Sequence, residues 1–147
     1  YNMFNRWIEE DNLLDTLEDL GVGSIAFTPL AQGMLTKKYL NGVPNDSRAM
    51  QDKSLDRNKI KPELVEALNK LNAIASNRGQ SLAQMALAWV LRGSRVTTTL
   101  VGASKPEQVV DCVGVIDNLN FTEDELLDID RLSGDLGINL RAASSEI

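Results

Sequence analysis

Apolar residues recur at helical spacing near the start of the chain. Four leucines follow this spacing between Leu13 and Leu20, and Gly21 comes directly after them. Glycine often follows the last turn of a helix. The pattern therefore predicts a helix from about Trp7 to Leu20.

Two short apolar runs predict strands. Residues Gly23 to Phe27 are bounded by glycine on one side and by Thr28-Pro29 on the other. Residues Val96 to Val101 are apolar or β-branched and do not alternate between polar and apolar side chains. Such runs are typical of strands that are buried on both faces of a parallel sheet.

Helix-start signals appear at four further positions. Pro62 suits the first turn of a helix, and the buried stripe predicted for that helix is Leu64, Ala67, Leu68, Leu71, Ile74 and Ala75. A hydroxyl residue followed three positions later by Gln or Glu has the spacing of a capping box. This spacing recurs at Ser81–Gln84, Ser104–Glu107 and Thr122–Glu125. The last three helices are predicted to end at Leu91, at about Ile116 and near Leu132.

The order of these elements predicts an α/β architecture with parallel strands. Two parallel strands neither close a sheet nor cover both of its edges, so the pattern describes part of an α/β domain. Residues Asn41 to Ile60 are polar and aperiodic, which predicts a long loop, and the tail from Gly134 to Ile147 also lacks periodicity. Loops of this length often have a function.

The composition excludes several kinds of site. The 147 residues include one cysteine and no histidine, and 15 Lys and Arg against 21 Asp and Glu give a formal charge of −6. The chain therefore cannot form a Ser-His-Asp triad, a Cys-His dyad or a His-ligated zinc site. The acidic balance argues against a nucleic acid partner, and no apolar run is long enough to span a membrane. We expect no metal site and no membrane partner.

The segment after the second predicted strand is a candidate anion site. In parallel sheets, ligands lie beyond the carboxyl ends of strands. The Ser104 hydroxyl, the Lys105 ammonium and a helix N-terminus stand at that place, and together they favour a phosphate monoester. The alternative is that Ser104 only caps its helix and Lys105 is a solvated surface charge.

The segment after the first predicted strand is the second candidate. Phe27 offers a flat face to a planar ring, and Thr28 and Gln32 offer hydrogen bonds to phosphate oxygens. Lys38 and Arg48 follow and are placed to approach the same anion. The alternative is that Phe27 belongs to the core and that the two cations are ordinary loop charges.

The remaining unusual residues favour structural roles. Cys112 has no histidine to activate it and is predicted to be a small buried residue. Trp7 and Trp89 lie among apolar helix positions and are predicted to be core. The only phenols belong to Tyr1 and Tyr39, and neither has an evident pairing with a carboxylate and a lysine.

The two strand-end segments, IAFTPLAQGMLTKKYLNGVPNDSR and LVGASKPEQVVDC, resemble the cofactor-binding loops of the aldo-keto reductase family. The branch that they resemble contains the bacterial L-glyceraldehyde 3-phosphate reductases and the potassium-channel β subunits. The resemblance covers essentially residues 1–147 and implies the C-terminal portion of a single (β/α)8 TIM-barrel domain. Tyr1-Asn2 would then end strand six, and Ile25–Phe27 and Val96–Val101 would lie on strands seven and eight.

The resemblance also implies an NADP(H) site. Phe27 corresponds to an aromatic residue that lies against the nicotinamide. The residues that would wrap the pyrophosphate are Thr28, Pro29, Leu30 and Gln32, with Lys38 and Arg48 as cations that approach the phosphates. Around the adenosine 2′-phosphate stand Gly102, Ser104, Lys105 and Gln108. At the adenine end, Asp111 replaces the usual Glu, and Cys112 replaces an Asn that hydrogen-bonds the base, which implies a weaker adenine contact.

The catalytic part of the family site has no counterpart here. The family's Asp, Tyr, Lys and His come from earlier strands, Tyr1 does not stand at the catalytic position, and the chain has no histidine. The resemblance thus implies a fragment of a cytoplasmic, NADPH-dependent oxidoreductase that reduces small aldehydes such as glyceraldehyde 3-phosphate or methylglyoxal, with the isolated fragment inactive. The alternative is an NADP-binding regulatory subunit like the channel β subunits. We also expect the apolar strand faces to be exposed and to drive self-association.

Overall fold

A computed structural model describes residues 1–44 and 60–134 of the chain. Its helices are α1 (Trp7–Glu10), α2 (Leu13–Asp19), α3 (Pro62–Asn77), α4 (Leu82–Leu91), α5 (Pro106–Val113) and α6 (Glu123–Ser133). Its strands are β1 (Ile25–Ala26) and β2 (Thr98–Thr99). Most of the predicted loop from Asn41 to Ile60 and of the tail from Gly134 to Ile147 lies outside the described residues.

The helix predicted from Trp7 to Leu20 is in fact two helices. Asn12 separates α1 from α2 with a left-handed φ of 55°, a conformation that asparagine adopts more readily than most residues. This local break carries no signal in the apolar spacing, so the prediction of one continuous helix was wrong. The predicted stop is confirmed, since Gly21 follows α2 with a φ of 64°.

The two long helices agree with their sequence signals. Pro62 lies in the first turn of α3, and the predicted stripe is buried except for Ile74, which is half-buried. The hydroxyl of Ser81 accepts a hydrogen bond from the Gln84 N–H, and the Gln84 side chain accepts one from the Ser81 N–H. These reciprocal bonds form the predicted capping box.

Strand β1 pairs in parallel with β2, with Ile25 opposite Thr98 and Ala26 opposite Thr99. The strands are shorter than predicted, and the expectation that both faces are buried was wrong. Ile25 is 63% exposed and Leu100 is 60% exposed. Helix α4 packs against β2, and the described residues place no further strand beside this pair. The expected exposure of the apolar strand residues thus holds for Ile25 and Leu100, whereas Ala26 and Val96 are buried.

Helix α5 begins at Pro106, as predicted, but its N-cap differs from the predicted one by one residue. The N-cap is Lys105, with a φ of −143° and a ψ of 145°, and Gln108 rather than Glu107 lies at the third helical position. A residue before proline is driven to extended backbone, so Pro106 places the cap on Lys105 and makes the Ser104–Glu107 assignment wrong. The helix ends at Val113, before the predicted Ile116, and continues as a 3₁₀ turn over Gly114–Asp117.

The last helix begins where the sequence predicts. The Thr122 hydroxyl accepts a hydrogen bond from the Glu125 N–H, and the Glu125 carboxylate accepts one from the Thr122 N–H. Helix α6 packs on α3. In the described part of the chain, no helix is long and apolar enough to cross a bilayer.

The core forms around α4, whose side chains are buried on nearly every side. Trp89 is fully buried, as predicted, whereas Trp7 is only half-buried. A smaller apolar cluster of Leu87, Ala88 and Val115 joins α4 to the turn after α5. Helix α4 therefore packs against β2 and against the turn that follows α5.

Candidate functional site

The two predicted site segments leave the sheet at the same edge. Because β1 and β2 are parallel and in register, their carboxyl ends lie side by side. The Leu100 N–H donates to the Ala26 carbonyl at 2.8 Å and continues this pairing beyond the strands. Residues 27–33 and 101–105 therefore both begin at this end of the sheet, which is where ligands bind parallel sheets.

The first segment has an unusual backbone. Thr28, Ala31 and Gln32 have φ values of 58°, 47° and 59°. Left-handed backbone is costly for residues other than glycine, and a β-branched threonine there is a clear outlier that costs about 1–3 kcal/mol. Such strain persists only where surrounding contacts impose it, and it is concentrated at functional sites. Neither apolar spacing nor turn composition signals it in this sequence.

The side chains of this segment divide into two groups. Phe27 is 48% exposed, so its ring lies at the surface and does not belong to the core. Pro29 is buried, and Leu30 is half-buried against the core. The Gln32 Oε1 atom is buried and has no hydrogen-bond partner among the described residues. An unpaired buried amide oxygen is costly, and a ligand hydroxyl or N–H would relieve that cost.

The second segment gathers three donors on one oxygen. Gln108 Oε1 accepts from the Ser104 N–H at 2.8 Å, from the Ser104 hydroxyl at 3.2 Å and from the Lys105 N–H at 3.3 Å. Gly102 and all three of these residues are exposed. Several donors that converge at a helix N-terminus suit a phosphate oxygen. In this structure the exposed Gln108 side chain supplies the oxygen that accepts these bonds.

The two predicted loop cations are placed differently. Lys38 is exposed on a short 3₁₀ turn, Lys37–Tyr39, and its N–H donates to the Thr36 hydroxyl at 3.2 Å. The turn is anchored by Tyr39, which is fully buried. Arg48 lies outside the described residues.

Asp111 and Cys112 face α4 rather than the strand edge. The Asp111 carboxylate accepts from the Ser81 hydroxyl at 3.0 Å, and the Asp111 carbonyl accepts from Gln84 Nε2 at 2.9 Å. Cys112 packs against the Leu87 and Val115 cluster. Burial, and then the neighbouring Asp111 carboxylate, raises the pKa of the thiol, which agrees with a packing residue rather than a nucleophile.

Tyr1 has partners that the sequence did not reveal. Its hydroxyl donates to the Glu9 carboxylate at 2.5 Å and accepts from Arg92 Nη1 at 2.9 Å. Its ring lies 5.3 Å from the Trp89 ring. Burial, opposed by Arg92, raises the pKa of this phenol above its usual range. Only the fold brings these residues together, since Arg92 stands 91 positions from Tyr1.

The sequence model of the Aldo/keto reductase family matches residues 1–133. The chain belongs to this family. The resemblance drawn from the two strand-end segments is therefore confirmed. The order of elements and the parallel pairing fit part of an aldo/keto reductase barrel, while the assignment of Tyr1-Asn2, β1 and β2 to strands six, seven and eight stays a prediction.

Two aldo/keto reductase relatives and one solved structure illustrate the range of similarity. The chain is 51% identical to the L-glyceraldehyde 3-phosphate reductase of Escherichia coli O157:H7 over 150 positions, which cover 99% of this chain and 43% of that protein. It is 35% identical to a probable voltage-gated potassium channel subunit beta of Oryza sativa subsp. japonica, over 87% of this chain and 40% of that one. A glycerol dehydrogenase of Gluconobacter oxydans superposes with a TM-score of 0.72 at 30% identity, over 90% and 40% of the two chains. The chain thus spans less than half the length of these aldo/keto reductase relatives.

Proposed function

We propose that this chain supplies part of the NADP(H) site of an aldo-keto reductase that acts on small aldehydes, with glyceraldehyde 3-phosphate as the leading substrate. Its sequence has no histidine and matches none of the family's acid–base groups. The proposal therefore assigns cofactor contacts to this chain and no proton donor. It follows that the 147 residues alone should not reduce aldehydes.

One observation supports the cofactor assignment above the others. The parallel pairing of β1 with β2 sets an exposed aromatic ring, Phe27, beside the segment that holds Ser104 and Lys105. An aromatic face suits a planar nicotinamide, and a cation beside convergent N–H donors suits a phosphate dianion. A dinucleotide has both groups in one molecule.

The described residues fit such a ligand at two points. Gln32 Oε1 is buried without a partner and matches a ribose hydroxyl, while the donors on Gln108 Oε1 match a phosphate oxygen. Because Gln108 is exposed, its side chain is able to turn away from Ser104 and leave those donors to the phosphate. When bound, NADPH supplies the hydride, and the residues here bind and orient it. Asp111 and Cys112 contribute indirectly, because they hold α5 against α4.

The binding assignment is tested by fluorescence titration of the chain with NADPH and with NADH. The Lys105→Met variant removes one charge beside the proposed 2′-phosphate, and it should weaken NADPH binding about tenfold while changing NADH binding little. Lys70→Met is the matched control because Lys70 is exposed and pairs with Glu66 on α3. If Lys105→Met lowers the affinity for NADPH and for NADH equally, or leaves the affinity for NADPH unchanged, the 2′-phosphate assignment is contradicted.

The absence of a proton donor is tested by activity. The purified chain is mixed with NADPH and with glyceraldehyde 3-phosphate or methylglyoxal, and the absorbance of NADPH is followed. We expect no consumption above the rate without protein. Turnover by the 147 residues would show that the chain has its own acid–base groups.

A regulatory role is the second candidate function. It rests on the 35% identity to a probable potassium channel β subunit, which is lower than the 51% identity to the reductase. Both functions use the same cofactor site. Association of the chain with a membrane channel in a pull-down, in the absence of any reductase activity of the complete protein, would favour the regulatory role.

A further inference from the structure

We propose that Asn2 is a positioning residue that holds the Thr28–Gln32 segment in its cofactor-binding conformation; this inference rests on the proposed NADP(H) site. Asn2 lies 26 positions away from Thr28, yet its Nδ2 atom donates to the Thr28 carbonyl at 3.0 Å. Asn2 is also one of the few buried polar residues in the described part of the chain, with 4% of its surface exposed.

The other polar atoms of Asn2 make its position rigid. Its Oδ1 accepts from the Phe4 N–H at 2.9 Å, and its backbone pairs with Asn5 through bonds of 3.1 and 3.0 Å. Met3 and Phe4, inside this tight turn, are buried in the main core. The amide of Asn2 is thus held between the core and the strained segment, and its orientation is determined by partners at both ends.

The carbonyl that Asn2 contacts is the point where the strain begins. Thr28 has a φ of 58°, and its carbonyl also accepts from the N–H of Ala31, itself at a φ of 47°. Next to it, the Tyr1 nitrogen donates to the Phe27 carbonyl at 3.1 Å. Two successive carbonyls of the first segment are therefore bound by two successive residues at the start of the chain. Strained backbone requires such external contacts, and Asn2 supplies one of them from its side chain.

The role follows from the chemistry of the amide. Only a side chain with both a donor and an acceptor satisfies Thr28 and Phe4 at once. Aspartate has the same shape and keeps the acceptor for Phe4, but it sets a carboxylate oxygen against the Thr28 carbonyl. The segment should then move away from Asn2 and lose the arrangement of Phe27 and Gln32, while Ser104 and Lys105 on the second segment stay in place.

The test compares the binding of a ligand that reaches both segments with that of a ligand that reaches only the second segment. NADPH spans both segments, whereas adenosine 2′-monophosphate lacks the pyrophosphate and engages only the proposed 2′-phosphate end at Ser104 and Lys105. In Asn2→Asp, we expect NADPH binding to weaken about tenfold and adenosine 2′-monophosphate binding to stay within about twofold of wild type. The matched control is Asn118→Asp, which removes an Nδ2 donor from the Arg78 carbonyl far from the strand edge and should change neither affinity.

A second measurement separates positioning from folding. Glycine adopts a positive φ without external help, so in a Thr28→Gly background the Asn2→Asp change should cost less NADPH affinity than in wild type. A double-mutant cycle measures this coupling. The milder Asn2→Ser variant adds no charge, and its shorter side chain has a single hydroxyl that cannot replace both the Nδ2 bond to Thr28 and the Oδ1 bond from Phe4. It is used in the same cycle if Asn2→Asp does not fold.

The possible results of these binding measurements distinguish a failure of the positioning role from a failure of the proposed function. Unchanged NADPH affinity, equal weakening of both ligands, or an additive cycle would overturn the positioning role and leave the proposed function standing. If the wild-type chain binds neither ligand, the proposed function fails and the positioning role fails with it.

Discussion

The guanidinium carbon of Arg92 lies 3.7 Å from the centroid of the Trp89 ring, and the same guanidinium pairs with Glu9 at 2.5 Å and donates to the Trp89 carbonyl at 2.6 Å. A second guanidinium, that of Arg6, lies 4.6 Å from the same ring centroid. This cluster joins the start of the chain to α4. It therefore ties the start of the chain to the helix at the centre of the core.

Arg92→Lys should destabilise the fold by about 1–3 kcal/mol, because lysine cannot reproduce the planar fork that reaches Tyr1, Glu9 and the Trp89 carbonyl at once. Urea unfolding followed by tryptophan fluorescence measures the change. Arg131→Lys is the control, since its pair with Asp128 is exposed and 3.4 Å long and should change stability by less than about 0.5 kcal/mol. A similar small loss for both variants would show that the Trp89 cluster is not needed for stability.

Tyr1→Phe should change how stability depends on alkaline pH. Burial raises the pKa of the Tyr1 phenol above its ordinary value of 10.0, so the folded state holds this proton more tightly than the unfolded chain. The stabilisation is complete below pH 10 and is lost progressively as the pH rises above it. The free energy of unfolding of wild type should fall relative to Tyr1→Phe between pH 9 and pH 11, as measured by urea midpoints. Parallel curves for the two proteins would contradict the raised pKa.

The Glu125→Gln substitution should lower the stability of the fold at neutral pH and leave it unchanged in acid. Burial raises the pKa of the Glu125 carboxyl, but the Thr122 N–H and the Arg78 guanidinium outweigh this effect and lower it below the ordinary value of 4.5. The stabilisation is therefore present above pH 4.5 and is lost as the pH falls below it. We expect a loss of about 0.5–1 kcal/mol at pH 7, because the pair at 2.7 Å is partly screened by solvent.

The Glu125→Gln comparison is made by urea unfolding at pH 7 and pH 3, where the two proteins should converge. Glu66→Gln is the control, because its carboxyl is fully exposed and pairs only with Lys70 across one helical turn. If the free energies of unfolding of wild type and Glu125→Gln differ as much at pH 3 as at pH 7, the Glu125 carboxylate is not the source of the stabilisation.

Gln32→Gly should stabilise the chain and weaken cofactor binding. Glycine adopts the φ of 59° without strain, and it removes the unpaired buried oxygen. The free energy of unfolding should therefore rise by about 1 kcal/mol. The NADPH affinity should fall, since that oxygen is a proposed ligand contact. Ser94→Gly is the matched control, because Ser94 has a φ of 61° far from the strand edge and should gain stability without losing affinity. Unchanged NADPH affinity in Gln32→Gly would remove this residue from the site.

The paired substitutions Ile25→Lys and Leu100→Lys should reduce self-association. Both side chains are mainly exposed, with Ile25 in β1 and Leu100 directly after β2, so lysine there costs little in the folded state while it blocks apolar contact and edge pairing. Sedimentation velocity over a concentration series measures the effect. A wild-type chain that stays monomeric at high concentration would contradict the expected association.

The parts of the fold that were predictable are those determined by neighbouring residues. Pro62, Ser81 and Thr122 mark helix starts because their effect depends on the next turn only. The burial of β1 and β2 was not predictable, because it depends on what covers the strands. The strand-end positions of the candidate site followed from the alternation of elements, whereas the positive φ of Thr28 accompanies a contact with Asn2, 26 positions away, which no local pattern signals. The inward position of Cys112 likewise depends on how α5 packs against α4.

The register of β1 against β2 also has a consequence for the order of folding. Ser24 and Thr97, which are bonded at the start of this pairing, stand 73 positions apart, whereas α3 and α4 are neighbours along the chain. Closing a loop of that length costs entropy before any contact offsets it. We therefore expect the helical pair to form first and to act as a template for the strands. The two segments of the candidate site then meet only in the final stage of folding, and a dinucleotide that spans them would hold that last contact closed.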